Sequence, residues 1–121
     1  MSTANKRKGS QWERDVEDHL NTQGVKARRL PRAGSKDVGD VCITGTDFDI
    51  VIEAKNVKDA WSQMKGFLRE ADVESCNYDL KYDRNTIPVV MTKTRQAKTG
   101  EGRVVMTIDT FINLLKWGHV A

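Results

Sequence analysis

A chain of 121 residues is long enough for one domain with a buried core of its own, and 38% hydrophobic against 31% charged residues places it with folded proteins rather than disordered ones. No apolar run approaches the roughly 20 residues of a membrane span, so a membrane protein is not expected. Its net charge of +3 is segregated: nine Lys/Arg face four Asp/Glu in residues 1–36, two face six in 37–59, four face five in 60–92 and five face two in 93–121. An acidic centre framed by basic flanks suits a protein that grips a polyanion at its periphery and holds metal ions at its middle, although solvated faces give the same blocks.

Residues 1–9 read as a flexible basic tail, and 10–121 as a single domain. A first helix is predicted over 10–23, with Ser10 as N-cap, Glu13 completing a capping box and Gly24 as the stop. Trp12, Val16 and Leu20 form its apolar stripe, and Glu13 lies at the stripe's edge. A short strand over 25–30 ends at Pro31, and a Gly/Ser-containing loop leads to a second strand over 40–44. After the turn at Gly45-Thr46 a third strand runs over 47–55. Residues 59–75 read as a helix with Trp61, Met64, Leu68 and Ala71 on one face, and 77–86 as polar and irregular. Strands over 87–92 and 103–108 flank a basic loop, and Asp109 or Thr110 caps a last helix carrying Phe111, Ile112, Leu114 and Leu115. The order α-β-β-β-α-β-β-α predicts an α/β (mixed α+β) fold, a central mixed sheet flanked by helices.

Several side chains weigh little. Cys42 and Cys76 have no CxxC or Cys/His spacing and sit in or beside apolar stretches, so both are expected as buried free thiols in a reducing compartment. With no apolar signal segment after the polar N-terminus, an intracellular, cytoplasmic location follows. His19 and His119 lack ligand spacing, and Trp12 and Trp61 are expected in the core rather than as base-stacking platforms.

The third strand carries the chemistry. Alternation puts Asp49, Val51, Glu53 and Lys55 on one face, so Glu53 and Lys55 stand together at its end. A hairpin with the second strand would set Asp40 beside Glu53. Mg²⁺ takes oxygen ligands from one or two carboxylates plus substrate phosphate, with Mn²⁺ as a substitute; Asp40, Glu53 and the backbone carbonyl of Ala54 could supply them. Lys55 could then orient a water or neutralise the charge of a phosphoryl transition state. With six Glu and eleven Lys, about half a Glu-x-Lys is expected by chance, so the motif gains weight from ending an apolar strand thirteen residues after Asp40. The bland alternative is an exposed cross-strand ion pair.

The run Lys8-Gly9-Ser10 with Glu13, the Gly34-Ser35 loop, Gly39-Asp40 and Ile52-Glu53-Ala54-Lys55 resemble the archaeal-type Holliday junction resolvases of the restriction-endonuclease-like superfamily, over roughly residues 6–56. The resemblance implies a metal site formed by Glu13, Asp40, Glu53 and Lys55, with Ser35 assisting. It also implies a homodimer that places paired nicks in a four-way junction, inside a prokaryotic or virus-infected cell. Lys6, Arg7, Lys8, Arg28, Arg29, Arg32, Lys36, Lys93, Arg95 and Lys98 are the expected DNA contacts; Lys26, Arg28, Arg29, Arg32 and Lys36 alternate with few aromatics, which favours phosphate over base readout. The alternatives are a nuclease of the same fold acting on flaps, ends or damaged duplex, and a nuclease-fold protein that binds DNA without cutting it.

Overall fold

A computed structural model describes residues 3–31 and 36–120. Five strands lie side by side in chain order: β1 (Ala27–Arg29), β2 (Val41–Ile43), β3 (Asp49–Lys55), β4 (Thr86–Thr92) and β5 (Arg103–Val105). The pairs β1–β2, β2–β3 and β4–β5 are antiparallel, whereas β3 and β4 run parallel. A parallel pair needs a long crossover, and the helix α2 (Met64–Tyr82) supplies it. The helix α1 (Thr3–Thr22) packs on the opposite face, where Trp12 and Val16 meet Val41, Ile52, Ala54, Ile87 and Val89. Facing α2, Tyr78 joins Cys42 and Val51 while Met64 and Ala71 pack with Val90. Strand β3 is therefore covered on both sides, which is why Ile50, Val51 and Ile52 are apolar in succession. The mixed sheet with flanking helices agrees with the predicted fold class and element order.

Several boundaries differ from the sequence reading, each for a local reason. Helix α1 starts at Thr3, so the basic segment expected as a tail forms its first turns, and Ser10 lies inside the helix rather than at its cap. Ala4, Lys6, Arg7 and Lys8 are good helix formers, and Trp12, whose indole N–H donates to Met91 O at 3.1 Å, anchors the turns that follow. Helix α2 runs on to Tyr82 through a stretch expected to be irregular, because Tyr78 is a core residue whose burial outweighs its polar neighbours. The last helix, α3 (Ile108–Trp117), is capped by Thr107, whose hydroxyl accepts from Thr110 N at 3.1 Å, and β5 correspondingly ends at Val105. Cys42 is buried as expected, but Cys76 is exposed on the outer face of α2. Trp61 is not core: it sits 60% exposed in a short 3₁₀ turn, Trp61–Gln63, ahead of α2.

At the start of β3, Asp49 ties three segments together. It is buried and accepts hydrogen bonds from Tyr78 Oη at 2.7 Å, Arg84 Nη2 at 2.6 Å and Gly45 N at 3.1 Å. Burial pushes its carboxyl up, but Arg84, Tyr78 and Gly45 together outweigh this and hold it below the ordinary value of 3.8. Replacing Asp49 with Asn removes the charge that holds Arg84, and a loss of about 2 kcal/mol is expected in urea unfolding at neutral pH. With the folded pKa depressed, this stabilisation is present above the ordinary value and is lost as pH falls through the folded one. The gap between wild type and Asp49→Asn therefore closes in acid. An equally stable variant at neutral pH would show that the network contributes nothing.

Candidate active site

The site lies at the far end of β3 from Asp49. The ladder continues one residue beyond β2: Asp40 N donates to Ile52 O at 3.0 Å, and Leu30 N donates to Asp40 O at 2.8 Å. With Val41 opposite Ile52, this extension sets Asp40 opposite Glu53, as the predicted hairpin requires. Gly39 makes the entry into β2 possible. Its φ is +105°, and a Cβ there would meet Val51 Cγ1 at 2.4 Å.

Four acidic side chains from four elements are buried around this point. Glu13 comes from α1, Asp40 from the residue before β2, Glu53 from β3 and Glu74 from α2; they are 4%, 4%, 4% and 2% exposed. Asp40 Oδ2 is fixed by Ala54 N at 2.9 Å, and Arg29 Nη2 stands 3.4 Å from Glu13 Oε1. Among the described residues, Glu53 Oε2 and both carboxylate oxygens of Glu74 have no hydrogen-bond donor facing them. Oxygens of Asp37, Glu53 and Glu74 all lie within 4.8 Å of one another, with Asp37 exposed at the rim.

This arrangement disfavours ionisation. Burial, then the hydrogen bond and charge of Glu53 and the charge of Glu13, push Asp40 up to about 9 against the pull of the Ala54 N–H. Burial and the neighbouring Glu74 likewise push Glu53 up to about 9, with Asp40 and Lys55 acting the other way. Glu74 is raised to about 7, first by burial, with Asp37, Asp40 and Glu70 adding to it and a hydrogen bond with Glu53 opposing it. Lys55 Nζ lies 3.7 Å from Glu53 Oε1, 3.3 Å from Glu70 and 4.7 Å from the centre of the Phe67 ring. Burial alone would depress its pKa, but Glu53, Glu70 and Asp40 outweigh that and keep it a firmly held cation.

Lys55 and, beside Glu13, Arg29 are the cations described near these four carboxyls, and Asp40 and Glu53 stay neutral by holding protons. A buried, converging all-oxygen donor set from which a cation could displace those protons fits a hard divalent ion such as Mg²⁺. Glu13, Asp40, Glu53 and Lys55 are thus brought to one end of the sheet, while Ala54 contributes its N–H to Asp40. Ser35 and Arg32 lie outside the described residues. Glu74 and Asp37 did not emerge from the sequence. Glu74 could have: it lies inside the predicted helix, three residues after Ala71, as a carboxylate on the buried stripe of Met64, Ala71, Ser75 and Tyr78. Of the expected DNA contacts, Lys6, Arg7 and Lys8 project from the first turns of α1, Arg28 from β1 and Lys36 from the segment before Asp37. Lys93, Arg95 and Lys98 lie in the loop after β4, and all eight are exposed. Arg29 is half-buried, with its side chain against Glu13 and its N–H donating to Glu17 Oε2 at 2.8 Å.

No curated protein matches the chain. Among solved structures it is similar to Archaeoglobus fulgidus Hjc, a Holliday junction resolvase from an archaeal hyperthermophile. The TM-score is 0.52 at 18% identity, covering 80% of this chain and 75% of that one. That likeness places the fold with Hjc. A model of the family described as "Phage putative PDDEXK endonuclease" matches residues 4–116, nearly the whole chain. Because the match spans nearly the whole chain, the chain belongs to this phage PDDEXK endonuclease family.

Proposed function

We propose that this nuclease hydrolyses phosphodiester bonds in branched DNA, with the four-way junction as substrate, and that it holds Mg²⁺ with Asp40, Glu53 and Glu74. The observation that carries the reading is the buried group of carboxyls, with donorless oxygens on Glu53 and Glu74 and the Lys55 ammonium alongside. Glu13 and Asp37 flank these ligands, and the Ala54 carbonyl is a further oxygen. When bound, the cation supplies Lewis acidity toward the phosphoryl oxygens and acidifies a water to a usable nucleophile. The chain's own groups do the rest. The Ala54 N–H keeps Asp40 in a single orientation, and Arg29 does the same for Glu13. Lys55, fixed between Glu53, Glu70 and the Phe67 face, offers its protons to charge that develops on phosphate oxygens. Ser35 is assigned a supporting role toward the same phosphate.

The junction assignment is supported by the fold shared with Hjc, a protein that is itself a Holliday junction resolvase. A single site cuts one strand per encounter, whereas a two-fold dimer presents two identical sites to opposing strands. Helix α3 supports such a dimer: Ile108, Phe111 and Ile112 are exposed, and Val104 on the edge strand β5 extends the apolar area. Trp117 is only half-exposed and packs on Phe48 with ring centres 5.8 Å apart, so it belongs to the core's margin rather than to this face. The protein is assigned to the cytoplasm of the phage's host.

Asp40→Asn, Glu53→Gln and Glu74→Gln are each expected to reduce cleavage on the order of 10³-fold or more, while DNA binding holds or tightens as negative charge is removed. Mn²⁺ should replace Mg²⁺, and Ca²⁺ should support binding with little turnover. Gel assays on labelled junctions read all of these, and full cleavage in EDTA would overturn the metal assignment. On oligomeric state, light scattering should report twice the chain mass for wild type and the monomer for Phe111→Glu, with paired symmetric nicks seen in the wild type alone. A wild-type monomer, or nicks confined to one strand, would shift the substrate to flaps, ends or damaged duplex.

A further inference from the structure

Next to the acidic site lies a cleft of opposite character. Its volume is about 580 Å³, and it is lined by Lys8 from α1, Asn56 just past β3, and Lys93, Arg95 and Gln96 from the loop after β4. Three cations and two carboxamides face this space, and no carboxylate does. The described ion pairs involve none of Lys8, Lys93 and Arg95. Three like charges around one opening repel each other unless an anion lies between them.

The cleft is built into the catalytic framework. Asn56 follows Lys55 directly, and Lys93 N donates to Lys55 O at 3.2 Å, so its wall continues the end of the Glu-x-Lys strand. The loop is held in place: Thr94 Oγ1 donates to Glu101 O at 2.9 Å, and Lys98 N donates to Glu101 Oε1 at 3.2 Å. Within it Gln96 has φ 53°, a left-handed conformation that non-glycine residues rarely adopt and that commonly accompanies a functional constraint.

We propose that this cleft is a phosphate-binding subsite for DNA, which holds a phosphate neighbouring the one to be cut; it rests on the nuclease reading above. Carboxylates at the centre repel a polyanion, so the strand must be drawn in by groups beside them. Cations supply that attraction, while Asn56 and Gln96 add neutral N–H donors for phosphate oxygens. No aromatic lines the cleft to stack a base, and its size accommodates a phosphate with its sugar rather than a bare anion.

The test measures binding with Ca²⁺ present, using oligonucleotides in which one phosphate at a time is replaced by a neutral methylphosphonate. Wild type should lose about tenfold in affinity at one position close to the cut. Lys93→Gln/Arg95→Gln should lose a similar factor on natural DNA and become indifferent to that position. Its log K against log salt should be shallower by about 0.9, one phosphate's worth. Lys93→Gln alone should show half of this, which guards against a misfolded double variant. Sensitivity at an internal position assigns a backbone phosphate, whereas sensitivity that follows addition or removal of a 5′-phosphate assigns a strand end. A double variant that keeps the wild-type methylphosphonate profile would overturn the proposal. Displacement of DNA by poly-glutamate from wild type but not from the variant would reassign the cleft to an acidic polypeptide. Absence of DNA binding by wild type would instead sink the nuclease reading.

Discussion

Two carboxylates on the same face of β3, four residues apart, are buried to the same degree and meet opposite surroundings. Asp49 accepts from Tyr78, Arg84 and Gly45, and its charge is held below the ordinary range. Glu53 is set against Asp40 and Glu74, with one oxygen lacking a donor among the described residues, and burial raises it to about 9. Burial alone therefore does not decide whether a carboxylate stabilises the fold; the donors around it do. At one end of β3 the chain completes the shell with its own arginine and tyrosine. At the other end it surrounds the acid with more acid, and the cation that would balance it must come from outside.

The topology serves this contrast. Pairing β3 parallel to β4 forces the α2 crossover over one face, and that places Glu74 above Glu53. The antiparallel neighbour β2 brings in Asp40 from the edge, through the left-handed turn at Gly39. Helix α1 closes the other face and contributes Glu13. Glu13, Glu53 and Glu74 thus ride on three different elements, and the segment entering β2 adds Asp40 and Asp37. The price is a core interrupted by charge, which the apolar layers of Val51, Ile52, Val89 and Val90 must offset.

Much of this was legible in the residues. The period of two along β3 and the short turn at Gly45-Thr46 already put Glu53 beside Lys55 and Asp40, and the element order followed from punctuation by Gly, Pro and Thr. Legibility failed where tertiary packing decided the outcome. A polar stretch after Ser75 gave no local sign of continuing as a helix, yet Tyr78 reaches the core and hydrogen-bonds Asp49. Trp61 and Cys76 look like core residues by type, but each faces solvent, because the stripe of α2 that is buried runs through Met64, Ala71, Ser75 and Tyr78. The basic cleft could not be foreseen, since its lining comes from α1, the end of β3 and the loop after β4.

The central claim is that the acids at the end of β3 are arranged for a divalent cation at a cost to the metal-free fold. Thermal unfolding of wild type and Glu53→Gln, each in EDTA and in Mg²⁺, tests it without reference to any substrate. The account predicts that Glu53→Gln melts higher than wild type in EDTA, since folding the wild type must either bury the Glu53 charge or bind a proton to keep it neutral. It also predicts that Mg²⁺ raises the wild-type Tm, by the equivalent of about 2.7 kcal/mol at a hundredfold excess over its dissociation constant, and leaves the variant nearly unmoved. A wild-type Tm indifferent to Mg²⁺, together with a variant that melts lower in EDTA, would contradict it.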